Sequence, residues 1–275
     1  MSVLLDPLRY DFLRHALVVC TVAGGRCGLL GVYVTLKGMS SLGHGLSHAI
    51  FAGAAICAAV SVNPVAGAGL WGLGSGLAIT RVTRRRVIGA DAAIGVVTTA
   101  SFALGVALLG LYSRVRRSIE ATVFGSVLGI STADMWLVIG VAAVTLVVVV
   151  ALYRPLLFTA FDPEVAEVSG VRTDRMEAVL LLLLCGAILT GMKVLGVTLI
   201  AAAIVIPPVT ARLLTDSFSR MLVLSTAVGA AGGLVGTYLS YHLDVSSGAT
   251  IVLVDFAAFA VAFACTIKRR SVIIM

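Results

Sequence analysis

The chain has 275 residues, of which 60% are hydrophobic and only 12% are charged. Because soluble domains carry about 25% charged residues, this composition excludes a soluble protein, and recurring long apolar stretches indicate an all-α, polytopic membrane protein. The net charge of +7 is typical of a membrane protein with basic cytoplasmic loops, so we expect no nucleic-acid partner.

Nine apolar segments follow one another along the chain and predict a transmembrane helical bundle of about eight to nine spans. The joins at 62–63 and 192–194 are tight, so one pair of segments could form a single broken or re-entrant helix. No soluble domain is left over, and we expect one membrane domain over 1–275 with its core at 12–267. The predicted spans are 14–36, 42–62, 63–82, 91–112, 133–153, 176–192, 194–212, 221–243 and 247–267.

Clusters of basic residues predict which side of the membrane each loop faces. Three clusters can all be cytoplasmic with the predicted number of crossings between them. A fourth group, Arg114, Arg116 and Arg117, then lies outside against this rule, and a re-entrant element near 118–131 would resolve the conflict. The three cytoplasmic clusters are Arg81 with Arg84, Arg85 and Arg86, then Arg154 with Arg172 and Arg175, and finally Lys268 with Arg269 and Arg270.

Two histidines, His44 and His48, lie four residues apart in the second apolar segment. In a helix, four residues advance about 400° and about 6 Å, so both imidazoles lie on one face. Neutral imidazole binds zinc, iron or manganese, and a polar pair in a membrane span is costly unless it has a function. The alternative is that both rings are satisfied by neighbouring hydroxyls and carbonyls, including Ser47.

The polar loop 161–174 has the features of a short surface helix. Asp162 precedes Pro163, which predicts a helix start, because the carboxylate caps free N–H groups and proline fits the first turn. Gly170 then ends about two turns of helix. Such a rigid element could dock a partner protein, or it could be an ordinary connector.

Asp255 lies inside the last predicted span. An intramembrane carboxylate is a candidate functional residue, and we hold open a metal role beside His44 and His48 or a pairing with a neighbouring helix. A metalloenzyme is not expected, because position 45 is glycine and the His-Glu-x-x-His motif is missing. The chain also lacks the Gly-x-x-x-x-Gly-Lys-Ser/Thr motif, so any ATP hydrolysis would require a separate partner chain.

Five motifs in one order resemble the membrane subunits of the zinc/manganese/iron ABC importers of bacteria. Each motif is weak alone, but the series spans nearly the whole chain. The matching segments are Met39–Gly53, Phe124–Ser131, Phe161–Gly170, Gly196–Leu213 and Tyr238–Leu253.

This resemblance implies a type II ABC permease fold, like that of the vitamin B12 importer, in a homodimer within the bacterial inner membrane. An extracytoplasmic binding protein would deliver the metal, two cytoplasmic ATPase subunits would dock, and no cofactor would be bound permanently. His48 matches the metal-contacting histidine of the family. The residues implied in coupling to the ATPase are Asp162, Pro163, Glu164, Val165 and Gly170, and those predicted at structural turns are Pro207, Pro208 and Gly248.

The chain departs from the family pattern at His44, where an acid is usual, and at Ala52, where proline is usual. Imidazole nitrogen suits zinc, whereas manganese favours oxygen ligands. The sequence therefore predicts the transmembrane subunit of an ATP-driven importer of a divalent transition metal, with zinc preferred over manganese or iron. The alternative function is a self-sufficient secondary metal carrier or channel.

Overall fold

A computed structural model describes residues 11–59, 64–84, 88–111, 130–197 and 199–273. These residues form eleven helices and no strand, so the predicted all-α class is confirmed. The helices are α1 (Asp11–Leu36), α2 (Ser41–Ala59), α3 (Pro64–Arg84), α4 (Ala90–Leu111), α5 (Thr132–Ala151), α6 (Tyr153–Phe161), α7 (Pro163–Val168), α8 (Thr173–Leu195), α9 (Ile200–Leu214), α10 (Phe218–Leu243) and α11 (Ser247–Ile273).

Six of these helices are long and apolar enough to cross a membrane, namely α1, α4, α5, α8, α10 and α11. The predicted count of eight to nine spans is therefore not confirmed within the described residues. Helix α9 has only 15 residues, and α3 interrupts its apolar run with glycine and polar side chains. The predicted re-entrant element near 118–131 and the three arginines before it lie largely outside the described residues.

Helices α1 and α10 form the closest helix pair in the core, because small residues face each other along both. A Cβ atom on Gly24 would lie 2.2 Å from the carbonyl oxygen of Gly229, and one on Gly233 would lie 2.2 Å from that of Cys20. The Ser225 hydroxyl also donates to the Gly28 carbonyl oxygen at 2.6 Å. Small residues allow such backbone contact between membrane helices, and the result is a rigid two-helix unit.

The two predicted turn prolines, Pro207 and Pro208, lie inside α9 instead of at a turn. Their rings face the glycines of the neighbouring helices: the Cγ atom of Pro208 approaches Gly31 of α1, and that of Pro207 approaches Gly229 of α10. Packing of this kind lets a membrane helix contain proline. Gly248 is also helical, in the first turn of α11, where a Cβ atom would meet the Leu195 carbonyl oxygen at 2.4 Å.

Contacts around α7 define one end of the bundle, called here the α7 end. A cavity of about 400 Å³ is lined by Lys37 after α1, Thr83 of α3 and Glu164 of α7, among others. Lys37 forms an ion pair with Glu177 of α8 at 2.7 Å, and Ser41 donates to Asp91 of α4 at 2.7 Å. The last turn of α3, where the first predicted cytoplasmic cluster begins, thus lies at the same end as loop 161–174.

The opposite end, called here the far end, carries the junctions between α8 and α9 and between α10 and α11. Lys193 of α8 pairs with Asp134 of α5 at 2.6 Å, and Asp134 also completes a capping box with Ser131. Gly196 adopts a positive φ of 81° where α8 ends, a conformation that glycine allows without steric cost. Helix α2 therefore starts at the α7 end, whereas α11 starts at the far end.

Candidate metal site and coupling element

Helix α2 brings His44 and His48 together as their spacing predicts. Their Nε2 atoms are 3.1 Å apart, and the ring centroids are 4.5 Å apart with an angle of 88° between the planes. With both rings neutral, one nitrogen donates and the other accepts. The two Nε2 atoms therefore face each other on one side of α2.

The distance between the two nitrogens suits ligands of a single metal ion. Two imidazole nitrogens bound at about 2.0–2.1 Å, with an angle of about 90–110° at the metal, lie about 2.8–3.4 Å apart. The 3.1 Å separation is within that range. The separation of the two nitrogens is therefore compatible with both binding one divalent cation.

Neighbouring helices fix the orientation of the pair. Phe102 of α4 contacts the His48 ring edge-on, with centroids 4.5 Å apart. Gly45 lets α4 approach closely, because a Cβ atom there would lie 2.5 Å from the Cγ2 atom of Thr98. The Ser47 hydroxyl donates to the backbone carbonyl of His44 at 2.7 Å and not to an imidazole, so this hydroxyl does not satisfy either ring.

The two histidines differ in burial. The His44 side chain is exposed, whereas the His48 side chain is half-buried. The Nδ1 atom of His48 is buried and has no hydrogen-bond partner among the described residues. Metal-bound histidines usually donate their second N–H to an oxygen atom, and no described residue supplies an acceptor to this nitrogen.

Asp255 is separated from the histidine pair. It lies in α11 with 1% of its surface exposed, and its Oδ1 atom faces Gly232 of α10 without a hydrogen-bond partner among the described residues. Helix α11 packs mainly on α9 and α10, whereas α2 packs mainly on α3 and α4. No group of three His, Cys, Asp or Glu side chains able to hold a metal occurs within the described residues. The structure therefore does not bring His44, His48 and Asp255 together.

Loop 161–174 forms the capped helix that its sequence predicts. The Asp162 carboxylate accepts from the N–H groups of Glu164 and Val165 at 3.1 and 3.0 Å, and Pro163 occupies the first turn of α7. Gly170 has a φ of 81° and follows the end of the helix, where Val171 donates to the Ala166 carbonyl oxygen at 2.9 Å. This N-cap and glycine terminus define a rigid, two-turn element.

The outer face of α7 is apolar and open. Val168 is 93% exposed and Val165 is also exposed, whereas Ala166 is completely buried against the rest of the chain. The structure thus gives α7 one face against the bundle and one exposed face that carries two apolar side chains.

Sequence analysis did not identify Arg26 as a structural residue of the core. It lies in α1 with 3% of its surface exposed, and its Nη2 atom donates to the Ala187 carbonyl oxygen at 2.9 Å and to the Thr190 hydroxyl at 2.6 Å. Both acceptors belong to α8. An arginine inside a predicted span was the available signal, because such residues are rare and mostly face the bundle interior.

Comparison with known proteins gives one family across almost the whole chain. Residues 9–266 match the family model described as "ABC 3 transport family". The manganese transport system membrane protein MntC of Halalkalibacterium halodurans is 34% identical over 256 residues, covering 93% of this chain and 88% of the relative. The manganese import system permease protein ScaB of Streptococcus parasanguinis is 34% identical over 262 residues, covering 95% and 93%. A Haemophilus influenzae protein named "Probable iron transport system membrane protein" is 33% identical over 263 residues, covering 95% and 96%.

Solved structures share the fold. A chain of PsaBC from Streptococcus pneumoniae in complex with Fab has a TM-score of 0.86 and 30% identity, with 95% of both chains covered. A metal-chelate type ABC transporter in an inward-facing conformation has a TM-score of 0.73 and 14% identity, covering 90% of this chain and 84% of that chain. The second likeness concerns the fold alone.

Proposed function

The chain belongs to the ABC 3 transport family and is a multi-pass protein of the bacterial plasma membrane, and from this premise we propose that it is the permease subunit of an ATP-driven importer of manganese or iron. The observation that carries the proposal is the histidine pair of α2, whose Nε2 atoms lie 3.1 Å apart on one helix face. This pair is the proposed transient binding position of the transported ion.

The choice of metal follows the relatives, whose names specify manganese or iron. The preference for zinc predicted from His44 has no support among them. Ligand softness alone does not decide selectivity in cells, where geometry and metal availability also act. Imidazole also binds iron and manganese, so His44 is compatible with the proposed ions.

We propose that the remaining metal ligands come from outside the single chain. His44 is exposed, and two nitrogen ligands are fewer than the four to six that these metals take. A second copy placed against the exposed edge of α2 and α4 would add its own pair, and the proposed assembly is therefore a homodimer. Water molecules would provide the remaining ligands.

The energy source is proposed to be an ATPase bound at the α7 end. Helix α7 offers a capped, rigid terminus and exposed valines for that contact, and we assign coupling to Asp162, Pro163, Glu164, Val165 and Gly170. An extracytoplasmic binding protein would deliver the ion at the far end. No cofactor is required in the permease itself.

Reconstitution tests this function against the alternative of a self-sufficient carrier. The chain is inserted into liposomes with and without its partner ATPase and its binding protein, and uptake of manganese, iron and zinc is measured at equal free concentration. We expect manganese or iron uptake that requires both partners and ATP hydrolysis. Metal uptake by the chain alone, driven by an ion gradient, would support the carrier instead.

A further inference from the structure

Four aromatic rings meet at the α7 end and are called here the aromatic cluster: Tyr33, Tyr153, Phe161 and Phe218. Phe218, the first residue of α10, lies at the centre. Its ring centroid is 5.5 Å from that of Tyr33, 5.6 Å from that of Tyr153 and 5.9 Å from that of Phe161. These distances are those of favourable edge-to-face and tilted ring pairs.

The aromatic cluster connects the start of α7 with the core of the bundle. Phe161 is the last residue of α6, and the next residue, Asp162, caps α7. Phe161 is 61% exposed, whereas Tyr33 in α1 is completely buried. The rings therefore form a continuous series of contacts from the surface beside α7 to the interior.

A polar contact strengthens the link between α6 and α10. The Tyr153 hydroxyl and the Ser219 hydroxyl are 2.9 Å apart and share a hydrogen bond. Helix α6 thus contacts the start of α10 through both of its end residues, Tyr153 and Phe161. A displacement of α6 cannot occur without moving Phe218 or breaking these contacts.

Beyond Phe218, the structure is stiff. Helices α1 and α10 contact each other through backbone atoms at Gly24 with Gly229 and at Gly28 with Ser225. Arg26 then fastens α1 to α8. Close-packed interiors transmit displacements instead of absorbing them, so a shift at the first turn of α10 is passed to three long helices.

We propose that Phe218 is the positioning residue that transmits movement of α7 to the α1–α10 pair during transport. This inference rests on the proposed function, since it requires an ATPase that moves α7. Phe218 itself binds neither metal nor ATPase. It converts a displacement at the docking helix into a displacement of the helices that surround the transport route.

A purely structural role makes a different prediction. If the rings only stabilise the fold, their loss lowers metal uptake and ATP hydrolysis together, with an unchanged number of ions moved per ATP. If Phe218 transmits movement, ATP hydrolysis continues while the number of ions moved per ATP falls. The ratio of these two rates, measured on assembled complexes only, separates the two roles.

The test uses the permease reconstituted with its ATPase and binding protein, with manganese as the transported ion. Phe218→Leu keeps an apolar side chain of similar length but removes the ring. We expect the number of ions moved per ATP to fall about fivefold to tenfold, which corresponds to the loss of about 1 kcal/mol of ring contact. Phe218→Tyr keeps the ring and should retain the normal ratio. The control is Phe256→Leu, which removes a ring that pairs, among the described residues, only with Phe259 in α11 at 6.2 Å and should leave the ratio unchanged.

A double variant tests whether the rings act in one path. Phe161→Leu should lower the ratio, and Phe161→Leu combined with Phe218→Leu should be no worse than Phe218→Leu alone. A normal ratio in assembled Phe218→Leu complexes would overturn the proposal, as would a strictly additive double variant. Absence of ATP-driven uptake in the wild-type complex would instead refute the proposed function itself. If Phe218→Leu fails to assemble, Tyr33→Leu is measured in its place with the same criteria.

Discussion

At the scale of single residues, His44 is proposed to be one of the two protein ligands of the transported ion. Imidazole at this position gives two nitrogen ligands 3.1 Å apart, and a carboxylate would give one nitrogen and one hard oxygen. Because oxygen suits manganese, His44→Asp should retain manganese uptake and lower the uptake of zinc relative to it. His44→Leu, the matched control, should lose uptake of both, measured at equal free metal. Unchanged manganese uptake in both variants would show that position 44 contributes no ligand.

The buried guanidinium of Arg26 allows a second prediction at this scale. Its Nε and Nη1 atoms have no hydrogen-bond partner among the described residues, so burying the charge costs free energy that its bonds to α8 only partly offset. We expect Arg26→Met to be neutral or to stabilise the complex by about 1 kcal/mol. Arg26→Ala leaves a void and should destabilise it by about 2–4 kcal/mol.

Thermal unfolding of the purified complex measures both variants. If the free energy of unfolding of Arg26→Met is lower by about 3 kcal/mol or more, the guanidinium has an anionic partner, because breaking a buried ion pair has a cost of that size.

The histidine pair could be predicted from its i, i+4 spacing alone, because a single helix sets the relative positions of its own side chains. Asp255 could not be placed in the same way. Its position relative to α2 depends on which helices pack together, and α11 packs on α9 and α10. The contact between His48 and Phe102 joins residues 54 positions apart by number, which no local pattern reveals.

At the scale of helices, the contact between α1 and α10 depends on glycine at one position in particular. A Cβ atom on Gly24 would lie 2.2 Å from a backbone oxygen of α10, so Gly24→Ala must push the helices apart. We expect a destabilisation of about 1–3 kcal/mol in thermal unfolding of the complex. Gly140→Ala in α5 is the control: nothing lies within 4 Å of the added atom, and alanine favours the helix. Similar stability for both variants would contradict backbone contact between α1 and α10.

Helix α7 offers a test in which a cap is removed without changing the docking face. Asp162→Ala removes the side chain that accepts from Glu164 and Val165, at a cost of about 1 kcal/mol to the helix. Asp162→Asn keeps a good cap. We expect weaker co-purification of the ATPase with the alanine variant and near-normal co-purification with the asparagine variant. Equal losses in both would assign the effect to charge instead of to capping.

Most helix positions followed from apolar runs, as in the predicted span 221–243 and the observed Phe218–Leu243. The prolines of α9 did not, since proline in a soluble helix usually ends or kinks it. Here the rings pack against glycines of two other helices, and this compensation comes from tertiary structure. The cap of α7 was predictable because all of its partners lie within three residues of Asp162.

At the scale of the whole molecule, the chain combines a stiff part with an incomplete site. Helices α1, α8 and α10 are joined by glycine contacts and by Arg26, whereas the histidines lie on α2 with His44 exposed. A permease of this kind would change shape by moving these parts relative to each other. Assembly was beyond what one sequence could determine, because interface residues carry the same apolar character as lipid-facing ones.

The most direct test of the account is metal uptake by the complete complex carrying His48→Ala. Proteoliposomes containing the permease, its ATPase and its binding protein are supplied with manganese and ATP. We predict that uptake falls at least about tenfold while assembly and ATP hydrolysis persist. His242→Ala, which changes an exposed histidine at the far end, should transport normally. Wild-type manganese uptake by His48→Ala would contradict the central claim that the α2 histidine pair carries the transported ion.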